Sequence, residues 1–342
     1  MCVCWWCAAA LFLWLTAVPV VESKGAVAML THKLGRAQLR NEHIYEKLWK
    51  PMPDVFDMVI FYEGSTQEER DVLQSRTPNM PLIYIDVTKH FTDFLQVIPQ
   101  YLQNNEWQDN PICPNNNGAS AFGFGYKLMC LFWFKTFIFY LPKEYDWILR
   151  VDDDVQIVSG FPIPFIYDRN SQVKIAATSW VAFNTTVERS TTGRGTGSVQ
   201  QGMNKFARSF LEEKHVLSQP HFTDADQLYL APYTNVLYID MNWIRTNALA
   251  REYQYRVEQS TCIMVNRWGD LELWGYIAGM SRVQPYLLPI SYIHHSHHCL
   301  ATNLHVEADM NKTYVMPICN QKEMLTTSQG QDLNVDLPVA FK

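Results

Sequence analysis

The sequence has no basic block, no internal repeat and no low-complexity tract. Lys and Arg number 28 against 34 Asp and Glu, a formal charge of −6. A nucleic-acid partner is therefore not expected, because phosphate recognition needs a basic patch. Charged residues are only 18% of the chain and hydrophobic ones 48%, which excludes wholesale disorder. Long apolar runs are also few. Met1–Val21 is nearly unbroken, whereas the apolar stretch Tyr126–Leu141 is interrupted by Lys127 and Lys135. The second stretch is thus expected to be a helix buried on most sides and not a membrane span.

Met1–Val21 has about the ~20 apolar residues that cross a bilayer as helix. It contains no Lys or Arg, and Val21 and Ser23 are small enough for the −3 and −1 positions of a cleavage site before Lys24. Residues 1–23 therefore read as a cleaved signal peptide or a retained signal anchor, and the body lies in the secretory-pathway lumen. Membrane contact is expected only through this segment, if it stays uncleaved. Of the eight cysteines, Cys2, Cys4 and Cys7 fall within it, leaving Cys113, Cys130, Cys262, Cys299 and Cys319. An odd number allows at most two disulfides and leaves one thiol, for which Cys130 in the apolar stretch is the choice. Five cysteines are too few to staple a body of this size. The sequons at Asn184 and Asn311 fit a luminal chain.

After Lys24, short apolar runs alternate with amphipathic stretches, the one-dimensional pattern of α/β units. Gly25–Thr31, Asp54–Gly64 and Met80–Val87 read as strands, with helices at Arg36–Trp49 and Glu68–Arg76 between them. Such a βαβαβ opening suits a nucleotide-binding half with ligand groups beyond the carboxyl ends of the strands. Gln103–Gly125 is loop-like, and Gly193–Gly197 is a flexible segment that could cover a site. Tyr145–Val155 is a strand running into three aspartates. Val236–Asp240 is a strand, Met241–Glu258 a helix, and Asn266–Met280 a turn continuing as helix. The tail from Ala301 is irregular. Residues 24–342 are read as one α/β domain with a C-terminal wrap.

The sharpest chemical signal is Asp152-Asp153-Asp154 at the end of an apolar strand. Adjacent carboxylates repel one another, and a hard divalent cation, Mg²⁺ or Mn²⁺, relieves that repulsion. Alternation along an extended chain would let Asp152 and Asp154 face one ligand while Asp153 points away. The alternative is a solvated acidic turn. A cation held there would stabilise the charge on a departing nucleotide diphosphate during sugar transfer. A further ligand could come from His294, His295, His297 and His298, which follow the apolar run Tyr286–Ile293. No Cys-x-x-Cys accompanies them, so one neutral His completing a Mn²⁺ shell is the economical reading, beside a separate zinc site or plain loop histidines. His294 and His295 lie nearest the strand end. Arg267-Trp268-Gly269-Asp270 is a charged, aromatic turn opening a helix, where Asp270 is either a cap or a catalytic carboxylate. Asp224, Asp226, Asp240 and Glu272 are the other carboxylates available for acid–base work.

Four blocks taken together resemble the yeast Golgi α-1,2-mannosyltransferases. Gly125–Val155 is similar to that family's Tyr-x-x-Met-Cys-x-Phe helix leading into a Tyr-Asp-Tyr-Tyr-Trp-Arg strand and an acidic motif. Tyr233–Arg245 resembles its Ser-Asn-Phe-Glu-Ile segment, Asn266–Asp270 its Arg-Trp-Gly-Asp turn, and Tyr292–Cys299 its Gly-Tyr-His-His stretch. The resemblance covers most of Lys24–Cys299. It implies a GT-A fold with a mixed central sheet flanked by helices, and a Mn²⁺-dependent retaining transfer of mannose from GDP-mannose to a glycan or glycoprotein acceptor in the Golgi.

Carried over by position, Asp152 takes the place of the family's metal-binding Glu, Asp153 that of its Pro, and His294 or His295 that of its metal-binding His. Tyr126 falls on a tyrosine at the site, Arg267 and Trp268 lie in the turn beside it, and Asp270 falls on an acid facing the acceptor. Two departures stand out. Asp-Asp-Asp replaces Glu-Pro, so the metal ligand is Asp152 or Asp154. The family's catalytic Glu falls on Leu237, which leaves Asp240 and Asp270 as the nearest carboxylates for that work.

Overall fold

The computed structural model describes residues 23–32, 34–93, 96, 124–160, 172–184, 202–216, 228–266, 268–294, 297–299 and 319–320. Its strands are β1 (Gly25–Thr31), β2 (Phe56–Tyr62), β3 (Leu82–Asp86), β4 (Trp147–Val151), β5 (Val155–Gly160), β6 (Ile175–Ala177), β7 (Trp180–Asn184), β8 (Leu228–Pro232), β9 (Val236–Asp240), β10 (Ile290–His294), β11 (His297–Cys299) and β12 (Cys319–Asn320). Its helices are α1 (Leu34–Ile44), α2 (Gln67–Arg76), α3 (Phe124–Leu131), α4 (Phe137–Tyr140), α5 (Met203–Glu213), α6 (Met241–Thr246), α7 (Ala248–Ser260), α8 (Cys262–Asn266) and α9 (Asp270–Met280). Two π-helical turns, Tyr45–Trp49 and Phe132–Thr136, extend α1 and join α3 to α4.

The main sheet has six strands in the order β3-β2-β1-β4-β9-β6. β1 to β4 run parallel, and β9 and β6 add antiparallel pairings. β1 and β2 are buried along almost their whole length because helices cover both faces, which is why they read as continuous apolar runs and not as alternating ones. Successive side chains therefore feed two cores. Ile148, Leu237 and Ile239 pack with α3, α7 and α9 on one face, while Trp147, Leu149, Val151 and Tyr238 pack with α1 on the other.

Most expected elements are present, with shifted ends. The helix expected over Met241–Glu258 is two helices, because Asn247 ends α6 and caps α7 by accepting the Ala250 N–H at 3.1 Å. The strand expected to run straight into the aspartates stops at Val151. Asp152–Val155 is a tight turn closed by the Val155 N–H donating to the Asp152 carbonyl at 3.0 Å, and β5 follows it. β5 pairs with β10 in a second sheet of order β12-β11-β10-β5, and β7 and β8 form a separate two-stranded antiparallel sheet.

Cys130 is a free, buried thiol as expected, and Cys262 is disulfide-bonded. Cys299 and Cys319 stand opposite one another in the register of β11 and β12. Residues 1–22, most of Gln103–Gly125, Gly193–Gly197, Cys113, the Asn311 sequon and the tail apart from β12 lie outside the described residues. Among the described residues no helix is long and apolar enough to cross a membrane.

The start of β1 is fixed by a close approach. Trp147 opens β4 directly beside Gly25, and a Cβ at Gly25 would fall inside the indole ring. Gly25→Ala is expected to destabilise the fold by about 1–3 kcal/mol, the usual overpacking penalty. The check is a lower midpoint in denaturant unfolding with an unchanged slope.

Candidate active site

The carboxyl ends of β1, β4 and β10 and the turn between β8 and β9 converge on the three aspartates. Thr31, the last residue of β1, donates its hydroxyl to Asp153 Oδ2 at 3.0 Å. Asn235 clasps Asp152 twice. Its carbonyl accepts the Asp152 N–H at 3.0 Å, and its Nδ2 donates to Asp152 Oδ2 at 3.0 Å. The same Nδ2 lies 3.3 Å from His294 Nε2. His294 ends β10 and stands opposite Val155 in register, which sets its ring beside the turn, with Nε2 3.2 Å from Asp154 Oδ2.

Beneath the turn lies a buried charge cluster. Arg150, two residues before Asp152 on β4, is 2% exposed. Its Nε donates to Asp152 Oδ1 at 2.8 Å, and its Nη1 donates to Asp270 Oδ2. The guanidinium lies over the Trp133 ring at 4.8 Å, a cation–π contact from the π-helical turn. Burial alone would lower the Arg150 pKa, but Asp152 and Asp270 raise it and hold the group charged. Asp152 is pushed up to about 7, chiefly by burial, with Arg150 opposing. Arg40 on α1 is lowered by burial and held up by Asp154 and Asp153, so it supplies a second positive charge beside the turn.

The structure therefore brings together Asp152, Asp153, Asp154 and His294, with Asp270 joined to them through Arg150. The alternation expected of an extended chain does not hold, because the aspartates form a turn. Asp152 faces inward to Arg150 and Asn235, Asp153 faces β1, and Asp154 faces His294. Asp270 is not the helix cap. Gly269 occupies that position and Asp270 is the first residue of α9, 5% exposed and bonded to Arg150. Tyr126 on α3 is half-buried and hydrogen-bonded to the Cys130 thiol, which burial raises well above its ordinary pKa and which lies against the Asp270 backbone.

Two expected site residues fall elsewhere. Trp268 is wholly buried against Phe206, with ring centroids 5.3 Å apart, and supports the turn from within the core. Asp240 sits opposite Trp147, at the far end of β4 from Asp152. Five residues of strand separate them, roughly 17 Å. There it caps α6, accepting the Trp243 N–H at 2.8 Å, and pairs with Lys174 at 2.8 Å. Arg267, His295, Asp224 and Asp226 lie outside the described residues.

Sequence reasoning missed Arg150 and Asn235. The signal for Arg150 was a single cation in an otherwise apolar strand, two positions before an aspartate and hence on the same face. Asn235 carried no local signal beyond its place in a turn.

Among the described residues no three His, Cys, Asp or Glu side chains form a ready metal cluster. Asp154 Oδ2 and His294 Nε2 are the two such side-chain atoms that stand side by side at the turn, 3.2 Å apart. No family model and no curated protein matches the chain. Solved structures do. Core-mannan synthase A from Aspergillus fumigatus, in its Mn/GDP form, is 16% identical with a TM-score of 0.56, over 83% of this chain and 77% of that one. The mannosyltransferase Ktr4p from S. cerevisiae is 14% identical with a TM-score of 0.55, over 83% of this chain and 73% of that one. The chain has the GT-A fold. In this GT-A frame the acidic turn lies at the carboxyl end of the parallel strands, where open α/β sheets receive ligands.

Asp240→Ala removes a cap and an ion pair but nothing in the cluster. It is expected to lower stability by about 0.5–2 kcal/mol, read as a lower midpoint in an unfolding curve.

Proposed function

We propose that the chain is a cation-dependent glycosyltransferase of the secretory-pathway lumen that transfers mannose from GDP-mannose, with retention, to a glycan or glycoprotein acceptor. The observation that carries this reading is the Asp154–His294 pair at the mouth of a GT-A sheet. The solved structure of the Aspergillus core-mannan synthase in its Mn/GDP form supports both the cation and the nucleotide.

The donor set fits such a cation. Octahedral ligands at about 2.1 Å from Mg²⁺ or Mn²⁺ lie about 3.0 Å apart when adjacent, and Asp154 Oδ2 and His294 Nε2 are 3.2 Å apart. One carboxylate and one imidazole leave room for water and the two phosphates of a donor. When bound, the cation would act as Lewis acid toward the departing diphosphate.

The chain's own residues do the rest. Asn235 holds Asp152 and meets His294 Nε2 from the same Nδ2, a donor that would have to turn from that nitrogen when a cation binds. Thr31 fixes Asp153, so the turn cannot swing away from β1. Arg40 adds positive charge on the flank where a diphosphate would lie. Leu237 is wholly buried and cannot accept a proton or attack a sugar. Asp270 is the remaining carboxylate joined to the turn, through Arg150, and it is assigned to the acceptor.

Incubating the purified chain with a panel of nucleotide sugars, with and without Mn²⁺, tests donor, cation and catalysis together. Transfer or hydrolysis of GDP-mannose is expected only with Mn²⁺, and Asp154→Ala or His294→Ala should lower kcat/KM by at least about 100-fold. Undiminished turnover in EDTA would sink the cation assignment, and turnover of a different nucleotide sugar alone would replace the donor. Tight donor binding with neither transfer nor hydrolysis would identify a non-catalytic binding protein, the reading that Leu237 favours.

A further inference from the structure

The cluster contains an unbroken line of polar contacts. Asp270 at the start of α9 accepts from Arg150, and Arg150 donates to Asp152. Asp152 accepts from Asn235, Asn235 reaches His294, and His294 meets Asp154. Arg150 and Asp152 bond in both directions through separate atoms, whereas Asn235 meets Asp152 and His294 from its single Nδ2, and the Asn235 and Asp154 contacts of His294 fall on the same Nε2. Arg150 can do this because a guanidinium presents several donors in a fixed plane, whereas an ammonium is a single point charge. Trp133 below it and Leu237 opposite it on β9 leave its Nε and Nη1 bonds directed at the two carboxylates.

We propose that Arg150 and Asn235 are positioning residues that couple the occupancy of the Asp154–His294 pair to the state of Asp270. The inference rests on the glycosyltransferase reading for the identity of the cation, and neither residue touches substrate. Its physical content is competition for one guanidinium. When Asp270 loses its charge, Arg150 binds Asp152 more strongly and draws it inward. Asn235, clasped to Asp152 by backbone and side chain, is then held more firmly with its Nδ2 on His294 Nε2, the nitrogen a cation would need, and the pair holds a cation less well. By linkage, cation binding at the pair must alter the interactions of Asp270 to the same extent. An acceptor group approaching Asp270 would thus feel whether the donor end is loaded, without contacting it.

The test is a mutant cycle read as Mn²⁺ affinity, from the electron paramagnetic resonance signal of free Mn²⁺, on the full chain with saturating GDP. Asp270→Asn keeps shape and removes charge, and should weaken Mn²⁺ binding by about fivefold or more, the lower range of coupling between linked sites. In an Arg150→Lys background, and separately in Asn235→Leu, the same change should weaken it by less than about twofold, because the line is cut at one or the other link. Asn235 lies in a half-buried turn, so its variant decides the matter if Arg150→Lys does not fold. Thermal midpoints of all variants are recorded beside the affinities, since a purely structural role would lower midpoints without making the Asp270→Asn effect depend on background.

An equal fall in every background would mean simple through-space charge and would overturn the coupling while leaving the proposed function standing. No effect of Asp270→Asn in the parent would overturn it as well. Failure of the parent chain itself to bind Mn²⁺ would overturn the cation reading, and this inference with it.

Discussion

One buried guanidinium organises the carboxyl end of the parallel strands. Taking Arg150 out of water carries a penalty of several kcal/mol, and only close carboxylates with good geometry offset it. Asp152 and Asp270 do so from two different elements, and Trp133 closes the third side. The end of β4, the start of α9 and the π-helical turn after α3 are therefore tied to a common point. Breaking either ion pair would leave a charge buried without its partner, a loss of about 3–5 kcal/mol in comparable clusters. The same interaction that closes the fold also fixes where Asp152 can stand. The acidic turn above it inherits its position from Arg150.

The two ends of the sheet use similar side chains for opposite purposes. At the amino end, Asp57 accepts from the Tyr145 hydroxyl at 2.6 Å and pairs with Lys24 at 2.7 Å, and Asp240 is spent on a cap and on Lys174. These carboxylates stitch strand starts to the connections around them. At the carboxyl end, Asp152 is satisfied inward, and Asp154, 39% exposed, turns outward to the His294 ring. Parallel strands make this polarity unavoidable. All four of β1 to β4 deliver their last residues to one edge, so groups that follow them in sequence meet there even when they are more than a hundred residues apart. Asp240 belongs to an antiparallel strand, and chain direction alone sends it to the other edge.

That distinction also explains what the sequence made legible. Gly25–Thr31 matches β1 in full because a strand buried on both faces leaves an unbroken apolar run. The buried helix at Tyr126–Leu141, the strand ending in aspartates and the histidines after an apolar run were legible for the same reason: each couples a local composition to a local structure. β5, β6 and the β7–β8 pair were not, because their partners are distant in sequence. The breakdown of alternation at the aspartates was hidden likewise, since the turn is set by pairing of β5 with β10, more than 130 positions on. Asp240 looked as plausible as Asp270 because sequence distance from the acidic motif says nothing about strand direction. Arg150 was visible as an isolated cation two positions before Asp152, but its second partner, Asp270, was identifiable only once α9 was placed against it.

Leu237 gains a meaning from this arrangement that its apolar character alone does not give it. It stands opposite Arg150 in the β4–β9 register, where paired side chains lie about 4.5–5.5 Å apart at Cβ. A glutamate in its place, as in the fungal mannosyltransferases that the sequence resembles, would bring a third carboxylate within reach of the one guanidinium. It would compete with Asp152 and Asp270, and the cluster would hold two surplus negative charges instead of one. A leucine removes that competitor and closes the space with hydrocarbon, so Arg150 is divided between two acids only. The replacement thus takes away one possible catalytic group and, by the same step, makes the contact between Asp270 and the acidic turn exclusive. What that exclusivity leaves is a carboxylate at the start of α9, the Asp154–His294 pair at the acidic turn, and the Arg150–Asp152 contact between them.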